Sequence, residues 1–214
     1  MSEKNKREIQ NAITETMEKA VEYTAEVSDI VLDIATDNDF LDKIPVVSWA
    51  IKGLKIKDIY QKRKLERNAF AFLMALGACN SNKLDEFKDF LNAQLEQRDE
   101  FIDTTMSILL EGEKPIKASL YGKLLAARIR NLLSHEEFEI IAMIIYAASV
   151  PALNAIKSYF RRTNGKPYIT HAGAVEEEPL LMSLGVASRF GNGFRVDERG
   201  QNFYRYCFDG TVVE

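Results

Sequence analysis

Two histidines, His135 and His171, two cysteines, Cys79 and Cys207, and the run Glu176–Glu177–Glu178 are the residues of this 214-residue chain whose types suit metal ligation, nucleophilic attack or proton transfer. Their spacing does not support such chemistry. His135 follows Ser134, and Glu137 stands three residues after that serine, the pattern of a helix start closed by a capping box. His171 lies in the sequence HAGA, with no cysteine or aspartate at ligand-type spacing. The cysteines form no CxxC pair, which favours free thiols in a reducing cytosol over a disulfide or zinc framework. Consecutive helical carboxylates point in different directions, so the glutamate run reads as a solvated helix N-terminus favoured by the macrodipole. The patterns GxxxxGKS/T, GxSxG and HExxH are absent. No catalytic residue, metal or cofactor is therefore assigned, and binding is the expected mode of action.

The charge pattern carries more information than these groups. Residues 45–67 hold seven basic residues against two acidic ones, in a chain with a net charge of −4. The cations are Lys52, Lys55, Lys57, Lys62, Arg63, Lys64 and Arg67, and they follow an apolar patch bearing the single tryptophan, Trp49. Three readings compete: a helix packed among acidic neighbours, a membrane contact anchored by Trp49 within 44–79, and a nucleic-acid contact. On a continuous helical wheel, Val47, Ile51, Leu54 and Leu65 share one narrow stripe, and Trp49, Ile56, Ile59 and Tyr60 lie nearly opposite. Two narrow stripes suit packing between two helices better than the single wide face of an interfacial helix. The flanking blocks 1–44 and 68–113 each carry six more acidic than basic residues. The basic segment is thus expected to face them across a bundle.

Positioning these residues is the task of helices. Hydrophobic residues make up 46% of the chain, enough for a substantial core. Apolar positions recur at three- and four-residue steps through 4–35, predicting a first helix, and Pro45 fits the first turn of a second that runs to about Gly77, bending near Gly53. Further helices are predicted over 83–111, from Pro115, and from His135, with Pro151 interrupting the last. EFEIIAMIIYAA is apolar almost all round and is expected at the centre of the bundle. The N-terminus lacks the apolar core of a secretory signal, and no window of about 18 apolar residues predicts a membrane span, so a cytoplasmic location is expected.

Seven of the eleven glycines fall in 165–214, where turns become frequent. There VEEEPLLMSLG predicts a short helix with a glycine stop, and VASRFGNGFRVD a hairpin flanked by Arg189 and Arg195. The expected fold is mainly α: a helical bundle over 1–162 and a winged-helix-like α+β unit over 163–214. A DNA-binding unit of that kind needs a basic helix before the hairpin, whereas this one is acidic.

Two stretches, LYGKLLAARIRNLLSHEEFEIIAMI (120–144) and LLMSLGVASRFGNGFRVDERG (180–200), resemble the abortive-infection alpha-type group of helical proteins of phage–host conflict. IPVVSWAIKGLKIKDIYQKR (44–63) is similar to a segment of prophage-borne proteins. The resemblance implies a role in phage resistance and transfers no catalytic residue. The resulting expectation is a non-enzymatic protein acting on a protein partner, phage-encoded or a second copy of the chain. The alternatives are a membrane-active effector using 44–79 and a DNA-binding regulator using the hairpin.

Overall fold

A computed structural model describes residues 3–30, 41, 43–56, 58–77 and 81–213, with the side chains of 21–30 outside that description. Among the described residues the chain forms ten helices and one three-stranded sheet: mainly α, with a small α+β portion near the C-terminus. It divides into two compact units, Met1–Leu133 and Ser134–Glu214.

In the first unit the helices are α1 (Glu3–Ile30), α2 (Pro45–Gly53), α3 (Ile59–Leu76), α4 (Ser81–Ala93), α5 (Leu95–Glu111) and α6 (Pro115–Ile129). The core forms where α3 lies along α6. Gly122 is the residue of closest approach: a Cβ there would stand 2.5 Å from the Phe72 carbonyl oxygen and 3.1 Å from the Leu76 nitrogen. The missing side chain lets the two backbones meet, and Phe72, Leu73, Leu76, Leu124 and Leu125 close around the contact.

Buried polar groups fix the remaining helices by satisfying backbone groups at helix ends. The Asn68 amide donates to the carbonyls of Leu109 (3.0 Å) and Gly112 (2.9 Å), holding the end of α5 against α3. The Thr16 hydroxyl accepts from the Val46 N–H at 3.0 Å, joining α1 to the first turn of α2. The Thr105 hydroxyl lies 2.7 Å from the Phe101 carbonyl and 2.7 Å from the Tyr121 hydroxyl. Its proton is committed to the carbonyl, so the phenol is the donor in the second bond.

Two predicted helices prove to be pairs. The helix expected from Pro45 to Gly77 breaks between Gly53 and Ile59, where Lys55 adopts φ +54° and Asp58 caps α3 by accepting from the Gln61 N–H at 2.8 Å. The helix expected over 83–111 breaks at Gln94. Residues 31–35 of the predicted first helix lie outside the described residues.

The second unit contains α7 (His135–Ala147), α8 (Val150–Arg162), β1 (Tyr168–Ile169), α9 (Glu178–Ser183), β2 (Ala187–Phe190), β3 (Gly193–Val196) and α10 (Glu198–Cys207). The antiparallel sheet has the order β1–β3–β2, and Gly191, at φ +53°, turns the hairpin. The capping box at the start of α7 forms as the spacing predicts: the Ser134 hydroxyl accepts from the Glu137 N–H at 3.1 Å, and the Glu137 carboxylate accepts from the Ser134 N–H at 3.2 Å.

The units divide at 133/134, where the sequence placed a boundary at 162/163, because α8 shares its apolar face with the C-terminal elements. Phe160 stacks on Tyr204 with centroids 4.3 Å apart, and Tyr159 meets Phe194 at 5.6 Å. Nor is α7 buried all round: Phe138, Ile141, Ala142 and Ile145 turn inward, while Met143 and Tyr146 are exposed.

Gly122→Ala should lower the stability of the first unit by about 1–3 kcal/mol, because its methyl meets backbone that cannot swing aside. Urea unfolding followed by the fluorescence of Trp49, the single tryptophan, reads this unit directly. An unchanged midpoint would contradict the close approach.

Candidate functional site

Four of the seven cations of 45–67 do not meet the acidic blocks among the described residues, where the charge pattern predicted that they would. Lys52, Lys55, Arg63 and Arg67 are exposed and form no ion pair among the described residues. Lys62 pairs within its own helix with the buried Glu66 at 3.5 Å, and the Lys64 ammonium donates to the Glu111 carbonyl at 3.3 Å. Lys57 lies outside the described residues. The ion pairs between helices instead join the two acidic blocks through their few cations. Arg98, with 4% of its side chain exposed, contacts Glu3 at 2.9 Å and Asp99 at 2.9 Å; Lys6 also pairs with Asp99, and Lys88 with Glu18. The physical reason is placement: the basic residues sit at the ends and outer sides of α2 and α3, whose inner faces are Val46, Val47, Ala50, Leu65, Ala69, Phe72, Leu73 and Leu76.

Breaking the helix at 54–58 also dissolves the two-stripe wheel. Trp49 is half-buried in α2, its ring against Gly53, where a Cβ would stand 3.1 Å from the indole. It lines an open groove with Glu8, Glu15 and Lys19 of α1 and Lys52. The side chains that project into solvent at the break are others: Leu54 is 48% exposed, Ile59 69% and Tyr60 70%. The wheel assigned all three to packed stripes because it treated the segment as one helix. Asp58, a helix-starting residue just before Ile59, is the sequence signal that could have found the break. Within AFAFLMALGAC, Ala69, Phe72, Leu73 and Leu76 are core and Met74 is exposed; Ala78 and Cys79 lie outside the described residues.

In the second unit the two hairpin arginines separate. On β2, Arg189 pairs with Phe194 across the strands, on the side of the buried residues. Its guanidinium donates to both oxygens of Glu178 on α9, one at 2.7 Å, and to the carbonyls of Ala172 (3.2 Å) and Gly173 (3.0 Å). Hydrogen bonding from Arg189 holds the Glu178 carboxyl below its ordinary range. Arg195 stands on the opposite face of β3, exposed, beside Tyr168 of β1 and Ser188 of β2. The acidic run is partly consumed by structure as well, since Arg162 binds both oxygens of the buried Glu177, at 3.3 and 2.6 Å.

Neither histidine gathers ligands. His135 contacts Glu139 one helical turn away, at 2.5 Å, and its ring lies over Phe138; His171 is exposed. No group of three or more metal-ligating side chains occurs among the described residues. Cys207 is buried and forms no disulfide among the described residues. No described helix is long and apolar enough to cross a membrane. The α7–α8 pair passes that test only with its two halves joined across a 120° bend. No protein-family model, curated protein or solved structure matches the chain.

The arginine network makes the first unit acid-sensitive. Hydrogen bonding from Arg98 holds the Glu3 carboxyl below its ordinary 4.5, and hydrogen bonding from Lys6 holds Asp99 below 3.8. A carboxyl lowered by folding contributes stability above its unfolded value and loses it as pH falls through its folded value. The unfolding midpoint read by Trp49 should therefore decline below about pH 4.5, and Asp99→Asn should make that decline shallower. An identical acid profile in the variant would remove Asp99 from the account.

Proposed function

We propose that this chain is a non-enzymatic interaction protein of phage–host conflict, and that its C-terminal unit presents the docking face to a protein partner. The observation that carries this reading is the Arg189–Glu178 clamp. It pairs the hairpin cation Arg189 with a carboxylate of α9 and leaves that helix with Pro179, Leu180 and Met182 exposed beside acidic Glu176.

A helix preceding a hairpin, with sheet order β1–β3–β2, supports a winged-helix-like reading of the unit. In such a unit a DNA-reading helix offers cations to phosphates. Here the corresponding helix offers exposed apolar side chains with the carboxylate of Glu176 just before it and no cation of its own, a surface that a partner with an apolar, basic patch complements. The biological setting is supported by the resemblance of 120–144 and 180–200 to the abortive-infection alpha-type group.

A photo-crosslinking residue at Met182, expressed in a phage-sensitive bacterium, should give one discrete protein adduct. Leu180→Asp with Met182→Asp should abolish both the adduct and any restriction of plaque formation, with far-ultraviolet circular dichroism unchanged. An adduct to nucleic acid, or restriction indifferent to the double substitution, would overturn the proposal.

A further inference from the structure

We infer that the corner between α2 and α3 is a docking surface for an anionic phospholipid membrane. Three observations converge on residues 52–63. Leu54, Ile59 and Tyr60 project from the corner, and Ile59 and Tyr60 are the two most exposed large apolar side chains among the described residues. Positions 59, 63 and 67 fall one turn apart along α3, so Arg63 and Arg67 stand behind the apolar tip on the same side of the helix. Lys52 and Lys55 flank the tip from the α2 side, and none of these four cations forms an ion pair among the described residues.

The segment holds two carboxylates, the exposed Asp58 and the buried Glu66, against these cations. Asp58 accepts from the Gln61 N–H at 2.8 Å as the cap of α3, and Glu66 is buried beside Lys62. The corner is thus locally cationic on a chain of net charge −4. Exposed aliphatic and aromatic groups backed by cations match the two layers of a membrane surface: acyl boundary for the tip, phosphates for the cations.

The same charge distribution argues against a second copy of the chain. A two-fold contact through this corner would set its cations against their own counterparts. Duplex DNA would satisfy the cations and leave Leu54 and Ile59 without apolar contact. Trp49, the anchor suggested by composition, packs on Gly53 in the α1–α2 groove, so Leu54, Ile59 and Tyr60 take the inserting role. No described helix spans a membrane by length and composition, so the contact is peripheral.

The test uses the full chain with two vesicle types, phosphatidylcholine alone and phosphatidylcholine mixed equally with phosphatidylglycerol. Sedimentation with the anionic vesicles is expected, weakening as salt rises, with little or none on the neutral ones. Lys52→Glu, Lys55→Glu and Arg63→Glu together should lower the affinity roughly a hundredfold. Leu54→Ser, Ile59→Ser and Tyr60→Ser together should abolish binding, and the urea midpoint read by Trp49 shows that each variant is folded. Insertion is read separately with Tyr60→Trp in a Trp49→Phe background, where brominated phosphatidylglycerol should quench and blue-shift the emission. Equal binding to both vesicles, no binding to either, or an unquenched Trp at position 60 would overturn the inference. So would a dimer that the serine variant dissociates.

Discussion

The close approach of α3 and α6 at Gly122 is the constraint on which the first unit depends. A backbone-to-backbone contact admits one register, because sliding either helix would bring a side chain into the space that Gly122 leaves empty. With α3 fixed in this way, Leu65, Ala69, Phe72, Leu73 and Leu76 face inward and Asn68 reaches the end of α5. The same register carries Ile59, Tyr60 and Arg63 beyond the core, at the end of α3 where no other described helix covers them. The exposed corner is therefore a consequence of how the core is packed rather than of local sequence preference.

Charge has two separate roles in the molecule. One set is structural: Arg98 with Glu3 and Asp99, Lys6 with Asp99, Lys88 with Glu18, and in the second unit Arg162 with Glu177 and Arg189 with Glu178. The buried or half-buried members of this set are shielded from solvent screening, so they hold geometry more firmly than exposed pairs do. The other set, Lys52, Lys55, Arg63 and Arg67, is solvated and has no intramolecular carboxylate among the described residues. Among the described residues, the ion pairs from α1 to the helices of the second acidic block connect segments that are both acidic overall.

Features of the fold determined by a few neighbouring residues were legible in the sequence. Ser134 and Glu137 announced the start of α7, Pro45 and Pro115 the starts of α2 and α6, and Gly191 the hairpin. Features that depend on distant partners were not. The break at 54–58 rests on Lys55 in a left-handed conformation, which no lysine signals, and its one local sign was Asp58, the cap of α3. The apolar content of α7 showed that it packs, without showing that only one face would be covered. The hairpin arginines flank the tip almost symmetrically in sequence, yet strand register places Arg189 with Phe194 and Arg195 with Ser188, on opposite faces. Only the register reveals that one is bound and the other free of the clamp.

The central claim is that the cations of the α2–α3 corner are surplus to the fold and stand ready for a partner. Its most direct test is the urea unfolding midpoint, followed by Trp49 fluorescence, of a chain carrying Lys52→Gln, Lys55→Gln, Arg63→Gln and Arg67→Gln together. The account predicts a stability within about 1 kcal/mol of the parent, as for exposed residues without partners. A loss well beyond that, reaching about 3–5 kcal/mol as when buried charge pairs are broken, would show that these residues hold the bundle together and would contradict it.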